Sequence, residues 1–193
     1  MTKTDTKRKI LEHGARLVHM KGFNHTGIQE ILEVAGVPKG SFYFYFKSKE
    51  EFGLELVDYH LARFDQWVTS SLGSREPSAL NRLRSFFAGL RESFQRSECR
   101  GGCPIGNLTQ EMGDLSEAFR VRLRNALERM TVAIGRCIEL AQREGEIDQA
   151  LNPYEAAAFL LNSWEGALLR MKAEGTTRPL QMFEQMVFDR VLR

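Results

Sequence analysis

The sequence predicts an all-α fold, with a head of three short helices followed by a body of six. Three observations lead there. Apolar residues recur at three- and four-residue intervals along nearly every segment, which gathers them on one face of a helix. Capping residues or prolines precede those runs and glycines follow several of them. The one alternating stretch, Phe42-Tyr43-Phe44-Tyr45-Phe46, is short, and the proline and glycine just before it suit a helix–turn–helix spacing better than a hairpin.

Taken in order, the first helix covers 5–21, with Ile10, Leu11, Gly14, Ala15, Leu17 and Val18 on one face, and Gly22 stops it. Thr26-Gly27-Ile28-Gln29 reads as a capping box for a short helix whose apolar positions are Ile28, Ile31, Leu32 and Ala35. Gly36 ends it, and Pro38 opens a very short third helix to about Phe44. Ser48-Lys49-Glu50-Glu51 is a second capping box, starting a long helix to about Leu72. Residues 73–77 read as a linker. Helices follow over about 78–96, 104–112, 116–143 and 153–174, and a last one runs from Pro179 to the end. The 153–174 helix, introduced by Asn152 and Pro153, carries two apolar stripes, as does the last one. A helix apolar on two sides has two surfaces to bury. One faces its own core, and the second points to a partner chain, with Phe159, Leu161, Leu168, Phe183, Met186 and Val187 as the expected dimerisation residues.

Composition narrows the function classes. The chain has 193 residues, 42% hydrophobic and 27% charged, which is ordinary for a globular protein and too apolar for a disordered one. No apolar run approaches the ~20 residues that span a bilayer. The first nine residues lead into no separate apolar leader segment. Three cysteines cannot all pair with one another, so a reducing cytoplasm is the expected location. No metal or cofactor is expected, because the cysteines and histidines form no ligand pattern and no phosphate-binding glycine motif is present. The net charge of +2 conceals an asymmetry: residues 1–50 carry nine Lys/Arg against five Asp/Glu, a net +4, and the remainder nets −2. A basic head on a slightly acidic body suggests that the head meets a polyanion.

The head has the length pattern of a helix-turn-helix, with Gly36 supplying the left-handed backbone of the sharp turn. The second helix of such a motif enters a major groove with its N-terminal residues at base edges. Here those are Lys39, which can donate to guanine, Gly40, which admits close backbone approach, and Ser41. Tyr43 offers a phenol at phosphate distance, Lys49 lies at the start of the next helix, and Thr26 can reach phosphate as well. Lys3, Lys7, Arg8 and Lys9 read equally as a flexible arm touching a groove or as solvated charge.

The stretch Thr26–Glu51, and within it G-V-P-K-G-S-F-Y-x-Y-F-x-S-K-E, resembles the N-terminal domain of tetracycline-repressor-type (TetR family) transcriptional regulators. The resemblance implies a nine-helix homodimer with a DNA-binding domain over 1–50 and a sensing and dimerisation domain over 51–193. The two last helices would form a four-helix bundle with a second copy. It implies double-stranded DNA, a near-palindromic operator, as partner. Gln29, Lys39, Gly40 and Ser41 would face bases, and Thr26, Tyr43, Tyr45 and Lys49 would hold phosphates. Tyr45 stands where many relatives carry His.

Such a regulator needs an effector that prefers the DNA-incompetent arrangement. The most unusual stretch is Cys99-Arg100-Gly101-Gly102-Cys103-Pro104, where Cys103 precedes a helix-starting proline and the positive helix end favours a thiolate. Arg100 can add to that field, and Cys99 can resolve an oxidised Cys103. This loop and the later Trp164-x-Gly166 … Lys172 resemble a branch of the family typified by the repressor of N-ethylmaleimide reductase, in which a cysteine and a lysine respond to electrophiles and reactive chlorine. Cys103 and Lys172 fall on those positions. Cys103 reads equally as a small residue packing at a helix start. The competing switch is an apolar pocket for a small ligand, lined by Phe87, Phe94, Met112, Phe119, Met130 and Trp164 with Asn107 as a polar tip. An enzyme is poorly supported, since the four histidines make no constellation with a nucleophile or paired carboxylates. A helical dimeric adaptor without DNA binding is the alternative of another class.

Overall fold

The structure, a computed structural model, describes residues 3–72 and 78–192, so the expected linker at 73–77 lies outside the described residues. Among these the chain is helical with no strand. The elements are α1 (Lys3–Lys21), α2 (Ile28–Ala35), α3 (Phe42–Tyr45), α4 (Lys49–Leu72), α5 (Ala79–Arg96), α6 (Pro104–Met112), α7 (Glu117–Arg143), α8 (Pro153–Glu174) and α9 (Arg178–Met186). A 3₁₀ turn at Lys39–Ser41 leads into α3, and a π turn at Val187–Val191 extends α9.

The chain forms two compact units, Met1–Ala62 with Pro104–Ala126, and Arg63–Cys103 with Leu127–Arg193. The first unit therefore extends past the boundary at residue 50 read from the sequence. Its core explains why. Phe52, Leu56 and Val57 of α4 are buried with Phe42 and Phe46 of the head. Phe119 of α7 meets Phe23 edge-on at 5.2 Å. At Gly53 any Cβ would lie 2.4 Å from Phe119 and 2.6 Å from Phe23, so only glycine admits that contact.

Local signals set most helix ends. Gly36 adopts φ 62° and returns its N–H to the carbonyls of Glu33 and Leu32, closing α2. Ser48 accepts from the Glu51 N–H at 3.0 Å, and the Glu51 carboxylate accepts from the Lys47 N–H at 2.6 Å. The capping box at the start of α4 is thus formed, displaced by one residue on its return arm. Three expectations need correction. Gly27, not Thr26, is the N-cap of α2, without a side-chain cap. The Thr26 hydroxyl instead donates to the Gly22 carbonyl at 2.7 Å, a local bond that competes with capping. Pro38 caps the 3₁₀ turn rather than occupying a first α-helical position. Nor are the early basic residues an arm, since α1 begins at Lys3 and Lys7 pairs with Glu55 at 2.7 Å.

In the second unit Phe87 packs against Trp164 (5.1 Å) and Phe183 (5.0 Å) in one aromatic cluster. The start of α5 is held by the turn that follows α7: the Leu80 N–H donates to Glu146 at 3.0 Å and the Ala79 N–H to Glu144 at 2.8 Å. The expected dimerisation residues divide. Leu161, Leu168, Phe183 and Val187 are buried in the protomer's own core, whereas Phe159 and Met186 stay more than half exposed, together with Leu169 and Met182. The outward stripe of α8 runs Phe159, Asn162, Gly166, Leu169, a helical spacing that sequence periodicity assigned to the wrong members.

Candidate nucleic-acid interface and thiol site

The end of the 3₁₀ turn and α3 form an exposed basic and aromatic face. Gly36 turns the chain, Pro38 directs it outward, and the burial of Phe42 and Phe46 anchors the segment. What remains on the surface is Lys39, Gly40, Tyr43 and Phe44, with Ser41 and Tyr45 half-buried and Gln29 exposed on α2. The Lys39 ammonium, on a side chain 68% exposed, lies 3.6 Å from Glu33, a loose surface pair. A Cβ at Gly40 would meet nothing within 4 Å, so no packing inside the protein explains the glycine. Phe44, 64% exposed and without a polar atom, was not singled out from the sequence. Its alternation with the buried Phe42 and Phe46 is the signal that marked it.

Lys49 lies at the first position of α4. Its ammonium donates to the Asn24 carbonyl at 3.4 Å and sits 4.8 Å from the centre of the Phe23 ring. Partial burial holds it below the ordinary lysine range, opposed by the attraction of Glu111. Thr26 is fully buried, so its hydroxyl serves the Gly22 carbonyl and presents no free surface to phosphate.

The loop before α6 is unusual in its backbone. Glu98 (φ 54°) and Cys99 (φ 60°) are left-handed without being glycine, and Gly101 and Gly102 are left-handed as well. Two such residues hold about 1–2 kcal/mol of strain each. Cys99 is buried, and its N–H bonds the Phe94 carbonyl at 2.8 Å. Cys103 is half-buried, and its thiol shares a hydrogen bond with the Glu165 carboxylate of α8. Burial pushes Glu165 above the ordinary carboxylate range, against the Cys103 bond and the charge of Lys172, two helical turns further along α8. Arg100 pairs with Glu98 at 3.6 Å rather than standing free beside Cys103. The thiol's neighbour is therefore a carboxylate as well as a helix start, a partner that residue spacing did not reveal. Cys137 is of another kind: buried, bonded to the Ala79 carbonyl at 3.4 Å, its thiol is pushed up to about 11 by burial.

The expected lining residues of an effector pocket divide between the two units. Met112 and Phe119 are buried in the first, and Phe87, Met130 and Trp164 in the second, with Phe94 half-buried 6.5 Å from Trp164. Asn107 lines a cavity within the first unit, with Val18, His19, His60, Pro104, Leu108 and Glu111. Its ≈ 10 Å³ of room is that of one water at most. Among the described residues no group of three His, Cys, Asp or Glu is placed to hold a metal ion, and no helix is long and apolar enough to cross a membrane.

Comparison with known proteins fits this geometry. Residues 10–56 match the family described as bacterial regulatory proteins, tetR family, and residues 79–187 match the tetracyclin repressor-like C-terminal domain. The repressor DhaR of Mycobacterium sp. GP1 is 33% identical over 192 residues, covering 100% of this chain and 95% of that one. The transcriptional regulator AcuR of Cereibacter sphaeroides is 36% identical over 91% of this chain and 80% of its own. The crystal structure of Escherichia coli NemR in its reduced form superposes with a TM-score of 0.88 at 30% identity, covering 95% of each chain. With an exposed basic face on a helix-turn-helix and both halves matched, the chain belongs to the tetR family of bacterial transcriptional regulators.

Proposed function

We propose that the chain is a repressor that binds a near-palindromic operator as a homodimer and leaves it when Cys103 is modified by an electrophile or an oxidant. The observation that carries the DNA reading is the sterically open, exposed end of the recognition segment, Lys39 and Gly40, with an exposed Tyr43 one turn on. Lys39, Gly40, Ser41 and Gln29 meet base edges. Tyr43, Tyr45 and Lys49 meet phosphates, and Thr26 positions the turn in front of α2 from inside. Phe44 adds an apolar contact of the kind that suits a thymine methyl group. The two heads are paired through the outward stripe of α8 and α9, where Phe159, Leu169, Met182 and Met186 are exposed and a Cβ at Gly166 would meet nothing within 4 Å.

Sensing rests on the accessible half of Cys103. Its thiol proton has Glu165 as an acceptor, and the Lys172 ammonium is close enough to that carboxylate to attract it. Attack of the sulfur on an electrophile adds bulk at the first residue before α6, in a loop already strained at Glu98 and Cys99. Cys103→Ser should leave operator affinity unchanged and abolish release by an α,β-unsaturated carbonyl or hypochlorite, read by fluorescence anisotropy on the operator. Undiminished release from the Ser variant would remove the thiol from the scheme and leave non-covalent ligand binding.

A further inference from the structure

We infer that Glu111 is a positioning residue for the DNA-binding head, a clamp that ties the turn in front of α2 to the far end of α6. The inference takes its trigger, modification of Cys103, from the reading above. The clamp's own bonds lie within the first compact unit; Cys103 belongs to the second and is joined to the first through its peptide bond to Pro104. Both oxygens of the Glu111 carboxylate are used: one accepts the Phe23 N–H at 2.7 Å and the other the Asn24 N–H at 2.6 Å. Charge-assisted bonds to two successive backbone amides fix the turn in position and in orientation. The neighbouring Gly22 is left-handed at φ 88°, and a Cβ there would lie 3.1 Å from the same carboxylate. Met112, the next residue on α6, takes the Asn24 side-chain amide on its sulfur at 3.6 Å.

The turn held in this way governs the DNA face on both sides. Its Gly22 carbonyl receives the buried Thr26 hydroxyl, and Gly27 caps α2 immediately afterwards. Its Asn24 carbonyl receives the Lys49 ammonium, which also lies against the Phe23 ring and feels the Glu111 charge. The other end of α6 is Pro104, the residue bonded to Cys103. Glu111 is seven residues along, about 10 Å at 1.5 Å per residue. A helix this short moves as one rod. A displacement at Cys103 therefore loosens the two bonds that Glu111 makes to the Phe23–Asn24 turn, and Lys49 and the start of α2 lose their set positions.

The test labels Cys103 with N-ethylmaleimide on the full-length protein, with single labelling checked by peptide mass. It reads two quantities, the ratio of operator affinities before and after labelling and the amide exchange of Phe23 and Asn24. In the wild type the ratio should lie in the range of about 5- to 150-fold that couplings between sites span, with exchange at the two amides accelerated by the label. In Glu111→Ala the ratio should collapse to within about twofold of unity on the same reasoning. Glu111→Gln, which turns one acceptor into a donor facing a donor, should give the same result in a protein that keeps its melting temperature. Arg122→Ala, which breaks a pair with Asp58 in the same unit, should leave the ratio at the wild-type value. A full ratio in both Glu111 variants, a collapsed ratio in Arg122→Ala, or unchanged protection of Phe23 and Asn24 on labelling would each overturn the clamp. A wild-type ratio of one after complete labelling would instead sink the thiol-sensing reading.

Discussion

The recognition segment and the Cys103 loop are both short, both contain glycine, and both precede or form a helix start, yet they solve opposite problems. Around Lys39 and Gly40 the side chains have little to do inside the protein: the lysine makes a loose surface pair and the glycine borders open space. Around Cys103 the polar groups bear on one another: Glu165 shares the thiol's hydrogen bond while its Oε1 is buried without a hydrogen-bond partner, Lys172 attracts Glu165, and Arg100 pairs with Glu98. The first surface is built to meet something absent from the chain, so its residues are decoupled from stability. In the second, residues are coupled to one another and to a strained backbone.

Changes at the two places should separate cleanly. The largest effect belongs to Lys39→Ala, which should cost about 1–3 kcal/mol of operator binding and relax base preference at one position per half-site. Its melting temperature should stay within a degree or two, about the scale of a neutral surface change. A matching loss of stability would mean that the recognition segment is not the free surface described. Glu146 supplies a contrast within the second unit, a carboxylate whose role is structural. Partial burial pushes its carboxyl up, but hydrogen bonds from the Leu80 N–H and the Ser78 hydroxyl outweigh this and hold it below the ordinary carboxylate value. A depressed carboxyl adds stability that is complete above its ordinary value and disappears as the pH falls through its folded value. Glu146→Gln should therefore lose about 1 kcal/mol at neutral pH, the scale of a lost helix cap. The difference from wild type should vanish in acid, in paired denaturation curves, while thiol reactivity and DNA affinity stay put.

Lys49→Ala should weaken all DNA sequences alike and reduce the slope of log affinity against log salt by about one, the signature of a single phosphate contact. An unaltered slope would remove Lys49 from the phosphate set. The smallest effect expected is at Glu165. Replacing its carboxylate with the amide in Glu165→Gln removes a negative neighbour that opposes the thiolate. The pH profile of Cys103 alkylation should move to lower pH, by a few-fold in rate at pH 7, with operator affinity unchanged. A profile that stayed in place would show that the two groups do not interact in solution. Cys137, buried and raised to about 11, should remain unlabelled throughout.

Much of the fold was legible because it is written in local signals. The glycine at 36, the serine at 48, the asparagine at 152 and the prolines at 104 and 153 each act on their own few residues. The helix starts and stops they imply agree with the structure to within a residue or two. The exposure of Lys39, Gly40 and Tyr43 follows from the same kind of local signal, the turn at Gly36 and Pro38. Thr26 shows the limit: its type and position suit a cap, but a bond to the Gly22 carbonyl was available and won. The apolar stripes of α8 show another. Periodicity announces that the helix is apolar on two sides, but choosing which side faces its own core depends on where α5 and α9 lie, with Trp164 and Phe183 meeting at 5.1 Å.

By itself, then, the sequence determined an all-helical chain with a basic helix-turn-helix at its front and a cysteine at the mouth of a later helix. Those properties depend on neighbours within one or two turns. Tertiary structure alone decided that Glu111 grips backbone amides 88 and 87 residues away. It decided too that the Cys103 thiol sits beside Glu165, and that Phe159 and Met186 face outward while Leu161 and Val187 do not. A carboxylate is satisfied by whichever donors the packing brings within about 3 Å, and no spacing along a chain records which those will be.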